Sequence, residues 1–401
     1  MRALSITAVF ALACGSGSPQ FASRSGALEQ QCDGLWHWVY VEGAVCGDGS
    51  QTGFQYICRT GSTAGPLLVY LEGGGACFGG DTCNCPGGDC GAGSATIINN
   101  HFGVADSFDG RPWEQSSFGG QLQPDGTRTA MFSADTSPFR EGWNFVDIPY
   151  CTGDVHAGNA VRQYTASNGD SVPFAHKGYS NLTLDLAQVR QLFAPTVVVF
   201  NGGSAGGYGV DCNLQQARAT WPAQPMYQFN NAGGPFSVRD SPLVPAGGFT
   251  WGAWQPRDDG TVEGLTCPLL PDTTAWGPGE FVRYNSLQFP DVRKALTDDY
   301  DDATISGFAC LLGTSRVCKN SLRHGMMEAY SRSIGPLNPT YKVYFHEGEC
   351  HSERDSDGNT LAGDGSPPSC DYDNMVEQGV KFNDWVRGFM QVPGFSWTNV
   401  L

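Results

Sequence analysis

Residues 196–209 read Thr-Val-Val-Val-Phe-Asn-Gly-Gly-Ser-Ala-Gly-Gly-Tyr-Gly, an apolar, β-branched run that stops at Asn201 and delivers a serine between glycines. The run has the length and composition of a buried parallel strand, and Gly202-x-Ser204-x-Gly206 fits the sharp turn from such a strand into a helix. Side chains two residues either side of the serine would strike neighbouring backbone, so glycine is required there. The turn holds Ser204 Oγ at the carboxyl edge of a sheet, beside the amino end of the next helix, where a developing oxyanion is stabilised. In a chain with 54 glycines the five-residue pattern alone is a weak signal. The strand in front of it favours a nucleophile over a glycine-rich loop.

The rest of the chain alternates in a way that suits this turn. Residues 67–71 form a second apolar run, ending in Glu72-Gly73-Gly74-Gly75-Ala76-Cys77-Phe78, where consecutive glycines let backbone N–H groups face outward as an oxyanion hole requires. Residues 144–148 predict a third strand, followed by Pro149-Tyr150-Cys151-Thr152-Gly153-Asp154-Val155-His156. Leu182, Leu186, Val189 and Phe193 recur at three or four residues, which predicts an amphipathic helix over 182–193, directly before the serine strand. With a further strand over 227–231, the order is the β/α alternation of a mostly parallel sheet flanked by helices. Residues 235–284 are rich in Trp, Pro and Gly without periodicity and read as a cap or long insertion. Trp251, Trp254 and Trp276 there suit either sugar stacking or core packing.

Two late strands, over 292–297 and 341–345, lead into Asp298-Asp299-Tyr300-Asp301-Asp302 and into His346-Glu347-Gly348-Glu349-Cys350-His351. An acid after one strand and a histidine after the next, both downstream of the serine, complete the order Ser, Asp, His. The acid fixes the imidazole tautomer and the imidazole takes the serine proton. Any one of the four aspartates could equally start a helix, and spacing alone does not choose between His346 and His351. The two histidines, five apart, do not form His-Glu-x2-His, so a zinc-protease helix is excluded. His156 precedes the serine and is expected to line or brace the site; His37, His101, His176 and His324 show no partner pattern.

Composition narrows the class. The 401-residue chain carries a net charge of −17 and no run of basic residues, so nucleic acid is excluded as a partner. Arg2, an apolar stretch to Ala13, Cys14 and Gly-Ser-Gly-Ser-Pro read as an export signal and tether, residues 1–28, ahead of one domain over 29–401. Ala-Leu-Ala-Cys14 is close to a lipoprotein cleavage site, leaving lipid anchoring at Cys14 and ordinary secretion as alternatives. Setting Cys14 aside leaves an even number of the 15 cysteines, which in an exported chain reads as disulfides. Cys83-x-Cys85-x4-Cys90 lacks the paired spacing of a zinc knuckle and reads as a disulfide-stapled loop. No metal or cofactor is expected.

These segments together resemble the pectin acetylesterase family, whose animal member is the lipid deacylase Notum. The match runs, in order, through the Leu71–Phe78 glycine segment, the Pro149–His156 segment, Gly202–Gly207 and the late Asp and His segments. The resemblance implies an α/β-hydrolase-like fold, with loop and cap insertions, and a Ser-Asp-His triad that removes acyl groups from oxygen esters without a metal. It assigns Ser204 as nucleophile, and Gly74, Gly75 and Ala205 as oxyanion donors. Asp301, after the aromatic Tyr300, becomes the acid with Asp302 as runner-up, and His351 in Cys350-His351-Ser352-Glu353 becomes the base. Notum has a bulky aromatic where Gly75 stands here, which implies a smaller, open site suited to acetyl groups. The expected protein is a monomeric, exported serine esterase acting on an acetylated polysaccharide such as pectin. A longer-chain carboxylesterase or lipid or protein O-deacylase is the rival within enzymes, and a non-catalytic glycan-binding surface protein the rival outside them.

Overall fold

The computed structural model of the chain describes residues 32–58, 61–76, 142–165, 171–234, 278–302, 340–348 and 375–401, together with 83, 139, 169, 305, 327, 330 and 351. All lie within the compact unit Gln31–Leu401. The expected export signal, Cys14, the Cys85 to Cys90 loop and the three tryptophans of the expected cap lie outside the described residues.

Strands β1 (Trp36–Val45), β2 (Gln51–Ile57), β3 (Ala64–Leu71), β4 (Asn144–Ile148), β7 (Ala194–Gly203), β8 (Met226–Asn231), β9 (Arg293–Asp299) and β10 (Tyr341–His346) form one eight-stranded sheet. Its order is β1-β2-β4-β3-β7-β8-β9-β10. β1 pairs antiparallel with β2 and β2 with β4, and every other pairing in the sheet is parallel. A hairpin, β5 (Ala160–Thr165) and β6 (Ser171–His176), and a short pair, β11 (Val376–Glu377) and β12 (Val380–Lys381), stand apart from it. The helices are α1 (Gly178–Leu192), α2 (Ala205–Thr220), α3 (Pro278–Gln288) and α4 (Phe382–Phe389).

The parallel strands β3 and β7 are largely apolar on both faces because both are covered. In β3, Leu67, Val69 and Leu71 join the core beneath α1 and α2, with Leu182, Leu186, Val189, Val210 and Leu214. The intervening Leu68 and Tyr70 pack on the opposite side with Phe382, Trp385, Val386 and Phe389 of α4. Those four α4 residues recur at i, i+3, i+4 and i+7, one helical face. The fold is the expected mostly parallel α/β sheet flanked by helices. The antiparallel β1–β2 extension, the β5–β6 hairpin and α4 were not foreseen. Helix α3 begins inside the segment 235–284 read as aperiodic and runs past its end.

Parallel register brings the carboxyl ends of β3, β4, β7, β9 and β10 to one edge, where ligands of open α/β sheets bind. The Cys46–Cys151 disulfide ties the β1–β2 turn to the segment after β4, and Cys32–Cys58 links the two ends of the β1–β2 unit. Cys83 and Cys212 are also disulfide-bonded, so every described cysteine is oxidised, as the exported reading requires. Among the described residues no helix is long and apolar enough to cross a membrane.

Candidate active site at the carboxyl edge of the sheet

Ser204 sits between β7 and α2 with φ 54° and ψ −120°, a backbone conformation costly for a residue with a Cβ and characteristic of strained functional turns. The glycines around it are sterically imposed. A Cβ on Gly202 would come within 2.2 Å of the Gly206 carbonyl oxygen, and one on Gly206 within 2.0 Å of that of Leu71. The turn is stitched to the neighbouring strand by the Ser204 N–H, which donates to the Asn231 carbonyl at 2.8 Å.

His351 Nδ1 lies 2.6 Å from Asp302 Oδ2 and His351 Nε2 lies 2.7 Å from Ser204 Oγ. The carboxylate accepts a hydrogen bond from Nδ1–H, which leaves Nε2 with its lone pair toward the serine hydroxyl. Asp302 is completely buried, and its second oxygen accepts the Ile305 N–H at 2.7 Å. The arrangement is chemically competent for proton transfer from Ser204 to His351 and for holding the imidazole in one tautomer.

The structure corrects the expected acid. Asp301 does not meet His351, whereas Asp302 does. The β9–β10 ladder continues past the strand ends through Tyr300 N–H to His346 O and Asp301 N–H to Gly348 O. Tyr300 is buried against Phe345. The chain then turns back, with Asp302 N–H donating to Asp299 O at 3.2 Å. Asp301 lies in that turn, half-exposed, and the carboxylate that emerges beyond it reaches the imidazole. His346 Nδ1 lies 3.2 Å from Asp299 Oδ1, the residue facing it in parallel register, and is no part of the serine line.

Gly74 and Gly75 follow β3 with φ 152° and 81°, and Ala205 opens α2. The backbone approaches so closely here that a Cβ on Gly73 would lie 2.8 Å from Ser204 Cβ. Helix α2 begins immediately after the serine, so its amino end faces the site.

The segment after β4 supports this glycine run, through contacts that motif reading did not anticipate. The Tyr150 hydroxyl donates to Gly75 O at 2.9 Å and accepts the Val155 N–H at 2.8 Å. His156 Nε2 donates to Glu72 O at 2.8 Å, so the expectation of a bracing histidine becomes a specific bond. Burial holds the His156 imidazole down at about 4, so the ring is neutral at pH 7. Both Val155 and His156 have left-handed backbones, φ 50° and 56°, each costing on the order of 1–3 kcal/mol. The buried Asp154 anchors the segment by accepting from Thr152 Oγ1 (2.7 Å) and from the N–H groups of Gly158 (3.1 Å) and Gly178 (2.8 Å). Burial pushes its carboxyl up to about 6. Gly178 is the first residue of α1, so this carboxylate caps that helix from a distance.

His176, unassigned by pattern, is structural. Its Nδ1 donates to Thr152 O at 2.9 Å and its Nε2 meets Tyr164 Oη at 2.8 Å. His37 pairs with the exposed Asp33. Among the described residues no group of three or more His, Cys, Asp or Glu side chains could hold a metal ion.

No protein-family model matches the sequence. The chain is 27% identical over 175 residues to a palmitoleoyl-protein carboxylesterase NOTUM of Schmidtea mediterranea, a stretch that is 43% of this chain and 28% of that protein. It is 24% identical over 192 residues to palmitoleoyl-protein carboxylesterase notum2 of Xenopus laevis, 48% of this chain and 34% of that one. It is 28% identical over 119 residues to pectin acetylesterase 7 of Arabidopsis thaliana, 30% of this chain and 25% of that one. The matches thus span about a quarter to a third of the relatives' lengths. In structure it resembles the Wnt deacylase Notum from Drosophila, with a TM-score of 0.54 at 15% identity, covering 90% of this chain and 95% of that one. The chain is therefore a distant relative of the Notum and pectin acetylesterase proteins and has a Notum-like α/β-hydrolase fold.

Proposed function

We propose that this protein is an exported serine esterase that removes acyl groups, acetyl in the first instance, from a polysaccharide such as pectin. The observation that carries the reading is the continuous line from Ser204 Oγ through His351 to Asp302, with separations of 2.7 and 2.6 Å. Ser204 attacks the ester carbonyl as its proton passes to His351 Nε2. The tetrahedral oxyanion is stabilised by N–H groups of Gly74, Gly75 and Ala205. The imidazolium, balanced by Asp302, returns the proton to the departing sugar oxygen. Water activated by the same histidine then hydrolyses the acetyl-enzyme.

Export is supported by the disulfides. The acetyl preference is supported by Gly75, which adds no side chain to the glycine segment after β3. A second reading, removal of a longer acyl chain from a lipid or protein, is favoured by the relatives named palmitoleoyl-protein carboxylesterase.

Acetate release from acetylated pectin and acetylated xylan, measured beside a series of nitrophenyl esters, separates the two. Ser204→Ala run in parallel tests the mechanism. Serine-dependent acetate release from pectin is expected, with activity falling as the acyl chain lengthens. Preference for long chains would favour the deacylase, and equal rates for wild type and Ser204→Ala would overturn the esterase reading.

A further inference from the structure

We infer that Tyr150 and His156 are positioning residues for the oxyanion hole, and that the segment after β4 acts as a clamp that sets the geometry of Gly74 and Gly75. The inference rests on the esterase reading and extends it to residues outside the triad.

In a trans peptide the carbonyl of one residue and the N–H of the next point in opposite directions. A bond to the Glu72 carbonyl therefore fixes the plane that carries the Gly73 N–H, and a bond to the Gly75 carbonyl fixes the plane that carries the Ala76 N–H. His156 Nε2 makes the first bond and Tyr150 Oη the second. Between these two held planes lie two peptide groups, those carrying the N–H of Gly74 and of Gly75. Both residues have positive φ and no side chain, so their own torsions are soft. Clamping the planes on either side is what gives a soft segment a defined direction, and preorganised direction is the source of oxyanion stabilisation.

The clamp is itself held. The Tyr150 hydroxyl is fixed from behind by the Val155 N–H. The His156 carbonyl accepts from Asn213 Nδ2 at 2.9 Å on α2, and a Cβ on Gly209 of the same helix would lie 3.1 Å from the His156 ring. Tyr150 and His156 are in ring contact at 4.9 Å, and Tyr150 packs in the same cluster as Ala205. Val155 and His156 both keep left-handed backbones, a strained pair that serves to aim the imidazole at Glu72. One rigid unit thus touches the glycine segment at both ends and the helix that carries Ala205.

The test compares Tyr150→Phe, His156→Leu and His156→Gln on 4-nitrophenyl acetate and on its thiono analogue, whose sulfur gains less from N–H donors. Direct loss of an oxyanion donor costs about 10²–10³-fold in kcat, so loss of a positioning bond is expected to cost roughly 10- to 100-fold, with KM little changed. Tyr150→Phe and His156→Leu should lower the oxo ester more than the thiono ester, shrinking their rate ratio. His156→Gln, whose amide can still donate to Glu72 O, should recover most of the activity. Equal losses on both esters, or activity within twofold of wild type in Tyr150→Phe and His156→Leu, would overturn the inference. If Tyr150→Phe fails to fold, the His156 pair decides. A wild type without Ser204-dependent hydrolysis would instead overturn the esterase reading on which the inference stands.

Discussion

Asp302 Oδ2 and His351 Nδ1 lie 2.6 Å apart, although the two residues belong to different loops and are separated by 49 positions in the chain. What brings them together is the parallel pairing of β9 with β10, which runs on through Tyr300 to His346 and Asp301 to Gly348. Each loop leaves that ladder at a fixed point, and the buried pair closes the gap. Asp302→Asn presents an amide that no longer selects the Nδ1–H tautomer, so kcat is expected to fall by about 10³–10⁴-fold. Asp301→Asn should stay within about twofold, since its carboxylate does not meet the imidazole. Steady-state kinetics on 4-nitrophenyl acetate decide between them, and a large loss in Asp301→Asn with little in Asp302→Asn would restore the sequence-based assignment.

The strained turn at Ser204 makes a prediction about stability that is separate from activity. Ser204→Gly removes the left-handed cost along with the hydroxyl, whereas Ser204→Ala removes only the hydroxyl. The glycine variant should be more stable than the alanine variant by about 1 kcal/mol, offset in part by the entropy glycine adds to the unfolded chain. Gly206→Ala should lose at least about 3 kcal/mol or fail to accumulate, because its Cβ would lie 2.0 Å from the Leu71 carbonyl oxygen, which is backbone and cannot step aside. Urea midpoints measure all three.

How much of this was legible beforehand follows from where the information lies. The strand bounds at 144–148 and the serine turn were readable because an apolar run, glycines and a strand-to-helix change coincide locally in sequence. β1 was not, because its burial is mixed and its pairing with β2 is antiparallel at the sheet edge, leaving neither a clean apolar run nor a clean alternation. The pairing of Asp302 rather than Asp301 with His351 turns on a single-residue turn closure, which no spacing rule resolves. Tyr150 and His156 stand in a legible motif, yet in the structure they bond the backbone of Gly75 and Glu72. Backbone acceptors carry no residue-type signature, so such partners are invisible until the strands are laid side by side.

The Cys46–Cys151 disulfide closes 105 positions and Cys32–Cys58 closes 26. In the chain-entropy account the longer loop is worth more, by about 1 kcal/mol, within a typical range of 2–5 kcal/mol for a native bond. Cys46→Ser with Cys151→Ser should therefore lower the denaturation midpoint more than Cys32→Ser with Cys58→Ser. It should also lower kcat, because Cys151 adjoins Tyr150 and its carbonyl accepts the Gly47 N–H. Equal kcat in the two double variants would show that the bond stabilises the domain without tensioning the segment after β4.

The buried imidazoles contribute one component of the acid response. His156 and His176 are both held from 6.5 down to about 4, chiefly by burial. The unfolded chain thus takes up protons on these rings between pH 6.5 and 4 while the folded one does not. Stability from this source is fully present above pH 6.5 and is lost as pH falls through that window, by at most about 3 kcal/mol per ring. Asp154 runs the other way, since its carboxyl is raised from 3.8 to about 6. Its folded form holds the proton, so it contributes stability below pH 3.8 that disappears as pH rises through 6, partly offsetting one imidazole. Two rings against one carboxyl leave a net loss of stability from these three groups on acidification from pH 6.5 to 4. His156→Gln removes one ring and should make the melting temperature fall less, or rise more, than that of the wild type on acidification from pH 6.5 to 4, whatever it does to the melting temperature at pH 7. An unchanged slope would mean that His156 is as easily protonated in the folded protein as in the unfolded chain.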